Sequence, residues 1–281
     1  MSVTGATGAI QSGTVQPARA AGFGHLLLAE WTKIRSVRST TWTLILFVVI
    51  TIGLTALFSW LSVTHWTGPR APERDARILA DPVGFIFGAG IGLGQLTICV
   101  LGVLLMTSEY STGVIRASLL AVPKRFPMLA AKIVVFAVIM IVLAELVAFG
   151  SFFVGSSILH SRVVVNLSDP GVLRATFGTG LYLTVLGIFA LAVGGLIRHT
   201  AGAVSTVIGV VLVLPILAGL LPSSWGAHIN AYLPEQAGSL ISHAQQSSSD
   251  LLSPWQGFGV FCIWTVLLLA ASAYLLDRRD A

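Results

Sequence analysis

The amino-acid sequence predicts an all-α polytopic membrane protein: six transmembrane helices, an amphipathic interfacial helix ahead of them, and both termini on the cytoplasmic side. Three observations carry this expectation. Of 281 residues, 55% are hydrophobic and only 10% charged, whereas charged residues make up about a quarter of a soluble domain. The apolar residues form continuous runs of roughly 20, the length a helix needs to cross a bilayer, and lack the every-second-residue alternation of a membrane barrel. Finally, Lys and Arg are shared unequally between the segments that join these runs, which sets orientation.

The elements follow in order. Residues 1–22 are small and polar with no apolar core before a cleavage site, and read as a disordered tail rather than a signal peptide. Residues 23–40 place Phe23, Leu26, Leu27, Trp31 and Ile34 at helical spacing, with Glu30, Lys33 and Arg38 elsewhere. That pattern predicts a helix lying on the inner leaflet, its basic side chains toward anionic headgroups. Six spans are expected at about 41–63, 83–107, 129–157, 176–197, 203–221 and 255–276. The third is long enough to tilt or project, and Pro215 should kink or break the fifth. Residues 222–254 read as short helices on or in the outer surface, and 277–281 as a cytoplasmic tail.

With both ends inside, eleven cations face the cytoplasm (Arg19, Lys33, Arg35, Arg38, Arg116, Lys124, Arg125, Lys132, Arg198, Arg278, Arg279) and five the outside (Arg70, Arg74, Arg77, Arg162, Arg174). The net charge of +5 is therefore a topology signal. No basic domain outside the membrane suggests nucleic acid as a partner; the expected surroundings are the lipid bilayer.

Several chemistries find no support in the sequence. The two cysteines, Cys99 and Cys262, sit in apolar runs and read as small buried hydrophobes. The phosphate-loop pattern G-x-x-x-x-G-K-[ST] is missing, as is any histidine spacing for a metal, so no catalytic residue, metal or cofactor is assigned to this chain. "GAGIGLG" at 88–94 lies inside a span and is no dinucleotide fingerprint. Its glycines, with Gly84, fall four apart (Gly84, Gly88, Gly92; Gly90, Gly94), which clears a helix face for close packing or for a ligand. Glu145 is the one carboxylate deep in a span. It must face protein or water, either as an ion or substrate contact or as a protonated group bonded to a neighbouring helix.

The segment 108–127, "SEYSTGVIRASLLAVPKRFP", interrupts the apolar pattern. Glu109 ends the second span, "STG" permits a turn, "VIRASLLAV" has the makings of one or two helical turns, and Pro123 stops them. A basic helix "EWTKIRSVRST", the loop "EYSTGVIRxSLLxVPKR" after the second span, and a lysine opening the third together resemble the permease subunits of type-2 ABC exporters. The likeness is greatest to the short six-span permeases common in high-GC Gram-positive bacteria, and it covers the chain from about Phe23 onward.

That resemblance implies a function. The 108–127 loop would be a coupling helix docked on a separate ATPase subunit, which binds the ATP and Mg. This chain would thus be no enzyme by itself. Coupling would fall on Glu109, Thr112, Gly113, Arg116, Lys124 and Arg125. Two permeases, expected as a homodimer in a bacterial cytoplasmic membrane, would enclose a translocation path along spans two and five, at Gly88, Gly92, Gln95 and Pro215, with Glu145 a further candidate. The outer helices of 222–254 would help close the exit. The mostly apolar spans favour a lipophilic drug, lipid or hydrophobic peptide as cargo. The alternative is a stand-alone secondary transporter using Glu145. That reading calls for more intramembrane polar groups or two similar halves, and 41–159 shows no repeat in 176–276.

Overall fold

The computed structural model describes residues 22–66, 71–113, 125–221, 223–247 and 250–279. Among the described residues there is no strand, and six helices are long and apolar enough to cross a membrane. The chain is an all-α, multi-pass membrane protein. The expected tail of 1–22 and the coupling turns at 114–124 fall outside the described residues, save Gly22.

Helix α1 (Phe23–Ser36) ends at Val37, whose extended backbone (φ −85°, ψ 105°) turns the chain into α2 (Arg38–Thr64), the first span. α3 (Ala71–Ala80) leads to Asp81, whose side chain accepts the Gly84 N–H at 2.8 Å and caps α4 (Pro82–Ser111), the second span. Asp at the N-cap and Pro at the first helical position satisfy or dispense with amide donors that a helix start leaves unpaired. The third span lies in α5 (Arg125–Leu159) and the fourth is α6 (Val172–Ile197). The fifth is a composite: α7 (Thr200–Ile208), a π-helical turn (Gly209–Val213) and α8 (Leu214–Gly219). Short helices α9 (Ser223–Ala231) and α10 (Pro234–Ser239) and a 3-10 turn (Leu240–Ser242) precede the last span, α11 (Pro254–Arg279).

Two spans form the interior. The most apolar stretch of α6 is 72% buried and that of α4 59%, against 22–33% for the other four. Small residues allow this. A side chain at Gly102 of α4 would collide with the Gly187 carbonyl of α6, so the two backbones meet directly, as close-packed membrane helices do. The outward faces of the peripheral spans stay apolar: Trp42, Leu46 and Val49 on α2, Val138, Val142 and Leu146 on α5, Ile263, Val266 and Leu267 on α11. Contiguous exposed apolar surface on a helical bundle is what contact with lipid requires.

The structure refines three expectations. Pro215 does not break the fifth span, because the wider π-turn just before it absorbs the missing N–H and the ring's steric demand. Residues 71–80, unassigned in the sequence reading, form a helix that buries Ile78 completely. Its Arg74 donates to the carbonyls of Ser62 and His65 at the end of α2, filling acceptors that a helix end leaves free. Finally, α1 turns Glu30 and Lys33 inward and leaves Arg35 exposed. Glu30 and Ile34 are its buried residues, while Phe23 and Trp31 are about half exposed. Lys33 does not extend to headgroups, because opposite charges wait for it inside the bundle.

Candidate functional site

Four ionic side chains from three helices meet on the α1 side of the protein. Glu30 and Lys33 come from successive turns of α1, Glu109 from the last turns of α4, and Lys132 from two turns inside α5. Lys132 Nζ lies 2.7 Å from Glu30 Oε2 and 2.7 Å from Glu109 Oε1. Lys33 Nζ lies 2.8 Å from Glu30 Oε1 and 2.7 Å from Glu109 Oε1. The pairs close into a ring of alternating sign, Lys132–Glu30–Lys33–Glu109, with no net charge.

Burial makes the ring consequential. The Lys132 side chain is only 2% exposed, Glu30 5% and Glu109 9%, with Lys33 at the rim. Desolvation would pull the Lys33 ammonium below its ordinary pKa, but hydrogen bonds and charges from Glu109 and Glu30 outweigh it and hold the group above that value. Pairs stripped of water stabilise a fold only when geometry is good and partners are complete, and here each ammonium has two carboxylates. Glu109 Oε2 alone is left without a partner. A cleft of about 400 Å³, walled by Leu101, Leu104 and Leu105, ends on the ring.

Beyond the ring the coupling candidates separate. α4 runs to Ser111, and Gly113 adopts the left-handed φ of 72° that ends the helix. Thr112 is exposed, its Oγ1 donating to the Ser108 carbonyl at 2.7 Å. Arg116 and Lys124 lie outside the described residues, and Arg125 begins α5. Of the six, Glu109 alone belongs to the ring. A second fastening lies nearby: the Arg198 guanidinium stacks 4.8 Å from the Tyr110 ring and donates to the Leu275 carbonyl, and Thr200 donates to Thr107.

The glycines of α4 divide between two faces. Gly90 and Gly94 press on Thr51 and Thr55 of α2, where any side chain would collide. Thr55 also donates to the Ile86 carbonyl at 3.3 Å. Gly88 and Gly92 meet nothing within 4 Å and line a cavity of about 240 Å³ together with Gln95, Tyr182, Glu235 and His243. Packing and an open face are thus both present, one on each side of the same helix. Glu145 is elsewhere: its carboxylate packs on Gly180 of α6, both oxygens without a partner, beside a cleft lined by Ile141, Val142, Leu146 and Phe149. Pro215 is buried in α8 and also apart from the cavity. The path candidates are therefore not one cluster within a single chain.

On this far side the charges are less completely matched. His243 Nδ1 stands 3.6 Å from Asp81 Oδ2. The Asp81 carboxylate beside it lifts His243 above the ordinary histidine pKa, whereas Asp81, despite burial, is held below the ordinary carboxylate value by His243 and the Gly84 N–H. Burial pushes Glu235 up to about 7, against the hydrogen bond from Gln236 and the charge of His243. At the cavity floor the Tyr182 hydroxyl donates to Gln95 Oε1 at 2.7 Å.

Sequence reading missed Glu30, Lys33 and Lys132 as partners of Glu109, and Asp81, Tyr182, Glu235 and His243 as neighbours of Gln95. One signal was available: an ionic residue within an apolar run must find a counter-charge, and Lys132 lies in the third run while Glu109 ends the second. No protein-family model matches this chain, and no curated protein matches it either.

Proposed function

We propose that the chain is the permease subunit of an ATP-driven exporter in the cytoplasmic membrane of a bacterium, joined to a separate ATPase through the segment between α4 and α5. The observation that carries this reading is the buried ring. It ties α1, the end of α4 and the start of α5 into one unit at the base of that segment. A force applied to the segment is then passed to two spans and the interfacial helix together, which is what a lever driven by a soluble partner needs. ATP and Mg would belong to the partner, and this chain would have no catalytic role of its own.

A second copy of the chain is part of the proposal. The fifth span carries an exposed apolar face through Leu212, Val213, Ile216 and Leu217, and a helix face of that kind can pack against its symmetry mate as well as against lipid. Glu145, a carboxylate with both oxygens unpartnered, favours a second reading, a stand-alone transporter that binds its ion or substrate there.

The test is a mild-detergent pull-down of the tagged chain from its native membrane, repeated with Arg116→Ala and with Lys132→Met. A soluble ATPase recovered in one-to-one ratio, lost with Arg116→Ala and recovered but uncoupled from transport with Lys132→Met, is the expected result. A partnerless chain in several detergents would overturn the reading and bring Glu145 forward.

A further inference from the structure

The cavity between α4 and the far-side helices has a chemistry that the lever reading does not use. One wall is bare helix backbone at Gly88 and Gly92, which offers apolar surface. The facing wall is rich in acceptors. Glu235 on α10 gives one carboxylate oxygen to the Gln236 amide at 2.9 Å. The Ser242 hydroxyl, on a residue 9% exposed, has no partner at all. Gln95 Oε1 already accepts from Tyr182.

The local charges are unevenly paired. The titratable and charged groups facing this wall are Asp81 at the start of α4, Tyr182 and Arg174 of α6, His243 after the 3-10 turn, and Asp250 ahead of α11, whose charge acts on His243; α11 presents the apolar Phe261 to Tyr182. Arg174 turns Nη2 to the carbonyls of His243 and Ala244 and keeps its charge, and His243, when protonated, pairs with Asp81. Among the described residues Glu235 has no ion pair of its own, only the Gln236 amide, so one positive ligand completes its pairing. Among the described residues no three His, Cys, Asp or Glu stand together to hold a metal, which favours an organic cation. At about 240 Å³ the space is below the roughly 300–1,000 Å³ of pockets for drug-sized ligands. It therefore suits a small amine or the amine end of a larger molecule.

We propose that this cavity binds a protonated organic amine, its ammonium paired with Glu235 and hydrogen-bonded to Ser242, its apolar body laid on the Gly88–Gly92 face. The proposal rests on the permease reading only in treating the cavity as the outer end of a path. With a carboxyl that titrates at about 7, the ionised fraction is about tenfold greater at about pH 8 than at about pH 6. The amine and a proton therefore compete for Glu235, and binding strengthens as pH rises.

The experiment is calorimetric titration of the purified full-length chain in lipid nanodiscs, without any ATPase, with 2-phenylethylamine and its neutral counterpart 2-phenylethanol. Expected are saturable binding of the amine, none of the alcohol, and affinity about tenfold weaker at about pH 6 than at about pH 8. Glu235→Gln should remove both the binding and the pH dependence. Gly88→Leu should block binding from the opposite wall while leaving Glu235 in place, which guards against a folding defect peculiar to either variant. Equal binding of amine and alcohol, amine binding unchanged in Glu235→Gln, or no binding to the unaltered chain would each overturn the proposal. None of these outcomes bears on whether an ATPase is recovered in the pull-down, so the two readings fail separately.

Discussion

The two ends of this molecule handle buried charge in opposite ways. On the α1 side two lysines and two glutamates close on one another at 2.7–2.8 Å, each ammonium between two carboxylates. On the far side Asp81 and His243 stand 3.6 Å apart at a partly exposed position, and Glu235 has an amide but no ion pair among the described residues. A closed ring holds its helices in one arrangement, because any motion strands a charge away from water. An open set can accept a ligand or a proton, because something is left to be satisfied. The difference separates a mechanical element from a binding element, although each sets carboxylates against a basic nitrogen, lysine in the ring and histidine on the far side.

The comparison breaks most decisively at Lys132. Lys132→Met strands Glu30 and Glu109 beside a single rim lysine, and removal of one partner of a buried ionic group costs about 3–5 kcal/mol. Thermal unfolding in detergent should show a large drop in midpoint. Changing Glu109→Leu in addition leaves a single Glu30–Lys33 pair and should restore much of the loss. If the double variant is as unstable as the single one, the ring is not a charge-balanced unit.

A smaller effect distinguishes the two faces of α4. Gly90→Leu forces a side chain into the α2 backbone at Thr51 and should destabilise by about 1–3 kcal/mol, the usual cost of overpacking. Gly88→Leu, pointing into open space, should change the unfolding midpoint little. Equal loss at both positions would mean that the far-side cavity is closed in the membrane.

The smallest effect concerns pH. The raised pKa of His243 means that its pairing with Asp81 is fully present below about 6.5, the ordinary histidine value. It is lost as pH rises through the higher value of the folded protein. Asp81, held low, is ionised throughout that window. A pair this exposed contributes about 0–1 kcal/mol. Amide exchange around residues 240–247, corrected for its intrinsic pH dependence, should accelerate modestly from about pH 6 to about pH 8. His243→Gln should abolish the difference, and a pH response that survives it would place the sensor elsewhere.

Much of the architecture was legible in the sequence. Each expected span has a helix over it because spanning is a local property: about 20 apolar residues that must satisfy their own backbone hydrogen bonds. The inward turn of α1 was not legible. Phe23, Leu26, Trp31 and Ile34 share helical spacing, and that spacing points them at whatever is apolar. Glu30 and Lys33 were drawn to the bundle instead by Lys132 and Glu109, which lie 102 and 76 residues away along the chain. Likewise the glycine spacing of α4 announced close approach, but which stripe met α2 and which stayed open depended on where α2 and the far-side helices docked.

The sequence by itself determined a six-span helical membrane protein, a turn at Ser111–Gly113, the glycine-lined face of the second span and the presence of an ionic residue in need of a partner. Hydropathy, chain stiffness and steric size act between near neighbours, so they can be read in order along the chain. Only the tertiary structure decided which charges close on one another, which are left over, and which glycine face became a cavity. Those outcomes depend on distances between residues far apart in the chain, and in a medium that excludes water a shift of a few ångströms separates a satisfied carboxylate from one that must wait for a ligand.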